Sequence, residues 1–465
     1  MNAGWLWIAL PMLAAVGLSL WPRVPTRRKR WGAVAIAALL SLIAWKVPIG
    51  EPLPLLGYRW TWTLAPEWRL LGRTFELSEK ARPWLMALYA WAGLWALFSA
   101  EARLAPDFPA WSLALPATLT LALAAQDFLY TVLLLGLAYL SLTFLWTTTS
   151  RPIRGAGVMR FLTFAVLGLP LLLLALARLP GLETAPPDTP GVVHGGLLLG
   201  LGLALWAGVF PFHTAYPLLG QEGHPYRLSF GWWLTHFALV LAVLHWAPQF
   251  VWLRDNPHLT AGLKGLGLGT LALAGLLVLF PRDLGRVAGY VAWLSTGWSW
   301  LALAHGLEHG PTAFLALAWP RALLWLGWTW ALAVLGLPHD RFTVAHLRGR
   351  GKAAPWTAAL AILGLGAWAP WPGLGLAGLN ANILQPLALT SGEWVAVAVA
   401  FAGITWAAKR WLERFFLNAG EPQPNLPETW RERVSAGFWL LLWVMVAFTP
   451  GLWYAWAEAA AGWVR

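Results

Sequence analysis

The chain of 465 residues contains no cysteine. That absence excludes disulfides, thiolate metal sites and an iron–sulfur cluster held by this chain. Charge is scarce as well: Asp, Glu, Lys and Arg together make up 11% of the residues, where a soluble domain carries about 25%. No glycine-rich nucleotide loop, nucleophile–base pair or metal-ligand spacing stands out in the sequence, so an enzyme acting alone is not expected. We expect no cofactor and no metal. What fills the chain instead is apolar: 59% of it is hydrophobic, with 37 tryptophans. Uncharged runs of about 18 residues, enough to cross a hydrocarbon core about 30 Å thick, recur from end to end.

The sequence therefore predicts an all-α, polytopic membrane protein. Fourteen candidate spans lie between residues 4 and 457. The first, "WLWIALPMLAAVGLSLW", has no basic segment before it and no small-residue cleavage site after it, and it is expected to be a retained helix. A net charge of +12 suggests nucleic acid only if the basic residues cluster. They are scattered among short loops, so they act as topology signals and no nucleic-acid partner is expected. If the loop at 22–30 ("PRVPTRRKR") is cytoplasmic, the alternate loops collect most of the Lys and Arg, with 148–157 and 338–352 on the same side. Both termini then face away from the cytoplasm. Residues 49–82 are expected to form a short hairpin or an interfacial segment, and 411–434 a surface helix end and a linker. With no soluble domain, the chain is expected to work as one subunit of something larger, in contact with other membrane subunits and the lipid bilayer.

Polar groups inside the spans are few, and each needs a reason. "FPFHTAYP" (210–217) places His213 between Pro211 and Pro217, which remove backbone donors and favour a helix break. Thr235 and His236 form a polar pair within an apolar span. Arg321 lies in "PRALLWLGWTWAL". Arg282, Asp283 and Arg286 open another span in "PRDLGRVAGYVAWLSTGWSWLALA" (281–304), where Asp283 suits a helix N-terminus and the arginines suit membrane anchors. His305, Glu308 and His309 ("HGLEHG") cluster at a span end, where a metal site or a wet loop are the alternatives, and the flanking glycines favour the loop.

"FPFHTAYP", then "PRDLGRVAGYVAWLSTGWSWLALA", then "PRALLWLGWTWAL" resemble, in that order along the chain, three landmarks of the antiporter-like membrane subunits of respiratory complex I, related hydrogenases and multisubunit sodium/proton antiporters. "FELSEKARPWLMALYAWAGLWALFS" (75–99) resembles the start of the family's third helix, and "QDFLYTVLLLGLAYLSLTFL" its fifth. The resemblance covers roughly residues 75–375. It implies two inverted five-helix repeats with discontinuous helices, about 110–252 and 261–374, preceded by helices in 1–109 and followed by helices in 375–465. It also implies a hydrated midplane chain of lysine, glutamate and histidine that carries protons. The family's twelfth-helix break is similar to "LGAWAPWPGL" (365–374), which contains Pro370 and Pro372.

The sequence departs from the family where protons would move. Counted from the motifs, the family's fifth-helix glutamate falls on Gly136 and its seventh-helix lysine on Trp206. Its eighth-helix lysine falls near Phe237, beside His236. One cation is kept, as Arg321 in place of lysine, and arginine holds its proton. His213, His236 and Arg321 are the proton-path candidates. Two roles stay open for His213: a relay or gate, or a ring that bonds freed carbonyls and fixes the break. His236 is open between relay and interhelical hydrogen bond, and Arg321 is expected to pair with a helix carbonyl or a partner-subunit carboxylate.

Three functions follow from the resemblance. The first is a divergent subunit of a complex I-type assembly (an NADH:quinone oxidoreductase-like complex in a bacterial inner membrane) with a degenerate proton path and a docking role. The second is a subunit that conducts protons or cations through His213, His236 and Arg321. The third is a membrane partner in inorganic-carbon uptake, docked to a soluble or peripheral catalytic subunit.

Overall fold

Helix dominates wherever the apolar runs lie, because a backbone in a low-dielectric surrounding must satisfy its own N–H and C=O groups. The computed structural model describes residues 2–21, 23–55, 60–147, 155–254, 256–337, 342–369, 371, 373–416 and 427–463. Six of its helices are long and apolar enough to cross a membrane. They are Phe128–Thr147, Ala156–Arg178, Pro190–Glu222 (counted across an internal break), Pro225–Gln249, His258–Leu277 and Ser391–Phe416. A seventh span arises if Trp430–Phe448 and Pro450–Ala461, bent by 76° at Thr449, count as one. The remaining apolar helices, such as Phe108–Ala124 and Pro355–Gly366, are shorter. The chain is a multi-pass helical membrane protein.

The segment at 49–82 folds as two small antiparallel hairpins, Pro52–Leu55 with Trp60–Thr63 and Glu67–Leu70 with Arg73–Glu76. The second turns on Leu71 and Gly72, both at positive φ (52° and 76°), the type I′ geometry that matches strand twist. Within 411–434, the Ser391–Phe416 helix runs on to Phe416, and Thr429 with Glu432 forms a capping box that starts Trp430–Phe448.

Tryptophan builds much of the interior. Trp91 meets Trp233, Phe237 and Trp319 edge-on at 4.8–5.6 Å, an arrangement that suits the ring quadrupoles. Trp328 donates its indole N–H to the Ala361 carbonyl at 2.9 Å and Trp146 to that of Arg227 at 3.2 Å. Glycine sets the closest crossings. The end of Ala215–Glu222 crosses the start of Leu284–Leu303 so tightly that a Cβ on Gly285 would lie 2.0 Å from the Gly220 carbonyl oxygen. One on Gly289 would lie 2.2 Å from that of Tyr216. This is backbone on backbone, the small-residue packing that membrane helices use in place of a hydrophobic drive.

Candidate functional site

The helix Pro190–Ala207 stops at Gly208, whose φ is +66°. A Cβ there would meet the Tyr216 ring at 2.2 Å, so glycine is required twice over. The Phe210–Pro211 peptide is cis. Phe212–Thr214 makes one 3-10 turn and helix resumes over Ala215–Glu222. Pro217 is the third residue of the resumed helix, where a missing N–H costs no intrahelical bond. His213 is buried at 8% exposure and stacks on Trp293, centroids 3.8 Å apart. Its Nδ1 has no hydrogen-bond partner among the described residues, and the ring bonds none of the carbonyls freed by the break.

Asp283 caps the Leu284–Leu303 helix, accepting from the Arg286 backbone N–H at 3.1 Å. The backbone on either side of it pairs with 342–344: Leu284 N–H donates to the Phe342 carbonyl, and Val344 N–H to that of Arg282. The charged motif thus fixes where this helix begins.

One polar cluster lies deep in the bundle. The Ser299 hydroxyl accepts from Arg321 Nη1 at 2.9 Å and lies 3.0 Å from His236 Nε2. Arg321 Nη1 also donates to the Ser295 carbonyl at 3.3 Å. The same carbonyl lies 3.3 Å from the Ser299 hydroxyl. Ser299 has one proton, so it donates either to His236 or to Ser295, and the His236 tautomer follows that choice. Arg321 is 0% exposed, and among the described residues no carboxylate pairs with it. Its Nε and Nη2, and the Ser295 hydroxyl, have no partner there. A buried cation held by one hydroxyl and one carbonyl is a costly arrangement. His236 also stacks on Trp232 at 5.1 Å. His213 forms no hydrogen bond to this cluster.

The vacated positions face one another. A Cβ on Gly136 would lie 3.6 Å from Trp206 Cη2, and one on Gly168 would lie 2.5 Å from Trp206 Cδ1. The indole fills the space that these two glycines leave. It stacks on Tyr139 at 4.8 Å and donates to the Ala165 carbonyl at 3.1 Å. The gap left among Tyr139, Phe161, Trp206, Phe212 and Tyr216 has no room for a water molecule. Phe237 is fully buried against Trp91 and Phe314.

Pro370 and Pro372 lie outside the described residues. Around them the helix Pro355–Gly366 ends, Gly373 and Gly375 take positive φ (73° and 61°), and helix resumes at Ala377–Leu384. The start of Pro355–Gly366 is capped from far along the chain: Glu428 accepts from Thr357 N–H at 2.8 Å and from its hydroxyl at 2.5 Å. His305 contacts the Ile383 carbonyl at 3.0 Å, whereas Glu308 and His309 are exposed and 4.0 Å apart. Among the described residues no three His, Asp or Glu side chains converge as metal ligands.

Sequence reasoning missed Ser299 and Ser295. Their signal was present: two hydroxyls four residues apart, hence on one helix face, in an otherwise apolar and tryptophan-rich run. It also missed an ion pair, from the buried Arg227 Nη2 to the partly exposed Asp107 at 2.7 Å, in which Arg227 also donates to the Leu145 carbonyl at 2.9 Å.

No protein-family model matches the chain. Two curated proteins are similar in sequence. A probable conjugal transfer protein TraB of Sinorhizobium fredii is 29% identical over 194 residues, 36% of this chain and 46% of that protein. An NADH-quinone oxidoreductase subunit N of Rhodopseudomonas palustris is 28% identical over 287 residues, 58% of this chain and 60% of that protein. The chain thus spans roughly half the length of the curated relatives it matches. Solved structures match throughout. A chain of the membrane-bound sulfane sulfur reductase, an archaeal respiratory membrane complex, superposes with a TM-score of 0.82 at 18% identity, covering 100% of this chain and 98% of that one. A chain of respiratory complex I from Thermus thermophilus gives 0.78 at 18%, covering 99% and 100%. One of the Mrp complex from Dietzia gives 0.78 at 16%, covering 100% and 97%. The chain has the fold of the antiporter-like membrane subunits of complex I-type assemblies.

Proposed function

We propose that this chain is a divergent antiporter-like subunit of a multisubunit, complex I-type ion-translocating assembly, with a degenerate proton path of its own and a docking role. The observation that carries this reading is that Trp206, at the position of a lysine in the family it resembles, is seated against Gly136, at the position of a glutamate, and against Gly168. An indole cannot relay a proton as a lysine or glutamate can, because it neither gains nor loses one near neutral pH, and the rings packed around it, Tyr139 and Tyr216 among them, leave little space beside it. The fourteen-span count, the inverted repeats at 110–252 and 261–374, both termini on the non-cytoplasmic side and a bacterial inner membrane belong to the same proposal. So do its partners: other membrane subunits, and a soluble or peripheral catalytic subunit.

The test is proton flux in proteoliposomes holding the chain alone. Flux little above that of empty liposomes is expected, and His213→Gln is expected to lower stability or assembly more than flux. Clear flux abolished by His213→Gln in a folded protein would replace this reading with conduction. The second reading, conduction through His236 and Arg321, is favoured by the Ser299 hydroxyl that joins them at 3.0 and 2.9 Å. Its mark would be flux lost in Ser299→Ala.

A further inference from the structure

Three stretches of chain bring cations together at one end of the bundle. Helices Pro257–Leu277 and Ser391–Phe416 run side by side in the same direction, as three contacts along their length establish. Lys264 pairs with Glu393 at 2.8 Å near their starts. Gly275 meets Ala400 and Gly403 midway, and a Cβ on Gly403 would lie 2.0 Å from the Gly275 carbonyl oxygen. At the far end the Arg410 guanidinium donates to the Leu279 carbonyl. The 342–352 stretch joins at that end: Val344 N–H bonds to the Arg282 carbonyl and Gly349 N–H to the Arg414 carbonyl.

Arg282, Arg348, Lys352, Lys409, Arg410 and Arg414 therefore share one edge. Arg282, Arg348, Lys352 and Lys409 are exposed. Arg414 lies within electrostatic reach of both Arg410 and Arg282, with Glu413 as the nearby acid. Glu413 is 3.9 Å from Lys409. Among the described residues no carboxylate lies within ion-pair distance of Arg282, Arg348 or Lys352. An edge with this excess of like charge among the described residues attracts anions.

Leading up to the edge are exposed apolar stripes. On the first helix Leu266, Leu273 and Leu276 are exposed and Phe280 follows at 66%. On the second, Val395, Val399 and Trp406 recur on one face, and Lys409 closes that face with its ammonium 4.9 Å from the Trp406 ring. Apolar stripes that end at an edge of cations match the shape of a phospholipid, acyl chains along the stripes and phosphate near the cations. We infer that this edge is a binding site for an anionic phospholipid, with its headgroup lying among Arg282, Lys409 and Arg414.

The test is lipid retention by the full chain, read by native mass spectrometry after titration with phosphatidylglycerol or with phosphatidylcholine of the same acyl chains. Preferential retention of phosphatidylglycerol is expected. The triple variant Arg282→Gln, Lys409→Gln, Arg414→Gln should lose that preference, by roughly fivefold for each cation removed and about a hundredfold in all. A matched triple, Arg23→Gln, Arg27→Gln, Arg28→Gln, should keep it. Inorganic phosphate at millimolar concentration should not displace the lipid, and if it does the site is for a free anion. Equal retention of the two lipids by the wild-type chain, or equal loss in both triples, overturns the inference. So does finding the three cations shielded by an acidic segment of a co-purified subunit with no lipid present. If the Gln triple fails to fold, the wild-type lipid comparison and the single Arg282→Gln variant decide the matter.

Discussion

The surroundings of Trp206 and those of Arg321 treat a buried vacancy in opposite ways. Around Trp206 the space is closed with carbon: an indole lies against Gly136 and Gly168, stacks on Tyr139, and places its one polar atom on the Ala165 carbonyl. Around Arg321 a charge is kept and only partly satisfied, by the Ser299 hydroxyl and the Ser295 carbonyl, with Nε and Nη2 unpartnered. Closing a vacancy makes a region self-sufficient and stable. Keeping a charge leaves a demand that fixes nearby polar groups, and here it draws His236 and Ser299 into one network. One molecule holds both solutions, which makes each a control for the other.

The comparison breaks most sharply at Trp206. Trp206→Ala leaves a cavity walled by two glycines that cannot collapse into it, and a loss of about 3–5 kcal/mol is expected. Thermal unfolding of the detergent-solubilised chain would register it, and a small shift would mean that the indole is not filling a void. Next comes Ser299→Ala, expected to cost about 1–3 kcal/mol because Arg321 is left with one acceptor fewer inside the bundle. The outcome is sharpened by Ser299→Ala in an Arg321→Met background, where the cost should largely vanish if the hydroxyl matters through the guanidinium. The smallest effect should be Trp206→Phe, which keeps an aromatic ring against Tyr139 but removes the donor to Ala165, at about 1 kcal/mol. A loss as large as that of Trp206→Ala would place the whole contribution of the indole in its hydrogen bond.

Much of the fold could be read from composition, because long uncharged runs allow few structures other than membrane helices. Order made the motifs informative: "FPFHTAYP", "PRDLGRVAG" and "PRALLWL" are weak alone, but their succession points to one family. Counting from Asp127 placed Gly136, and counting back from Phe210 placed Trp206, at the family's titratable positions. That the two touch is information only coordinates carry. Ser299 was harder to see because a serine in an apolar helix most often bonds its own backbone, and nothing in a single sequence says which face meets Arg321. The glycine crossings were hidden by abundance: with 46 glycines in the chain, the few at helix contacts do not stand apart. The second hairpin in 49–82 depends on the two-residue turn Leu71-Gly72, and leucine at positive φ is a poor advertisement for a turn.

The crossing of Ala215–Glu222 over Leu284–Leu303 has a mechanical consequence. Side chains can absorb a shift by changing rotamer, but Gly220, Gly285 and Gly289 have none to change. The two segments meet at their backbones, so a shift of one presses directly on the other. A displacement at the Asp283 cap would therefore be passed on to the interruption at 208–214 and to the His213 ring within it.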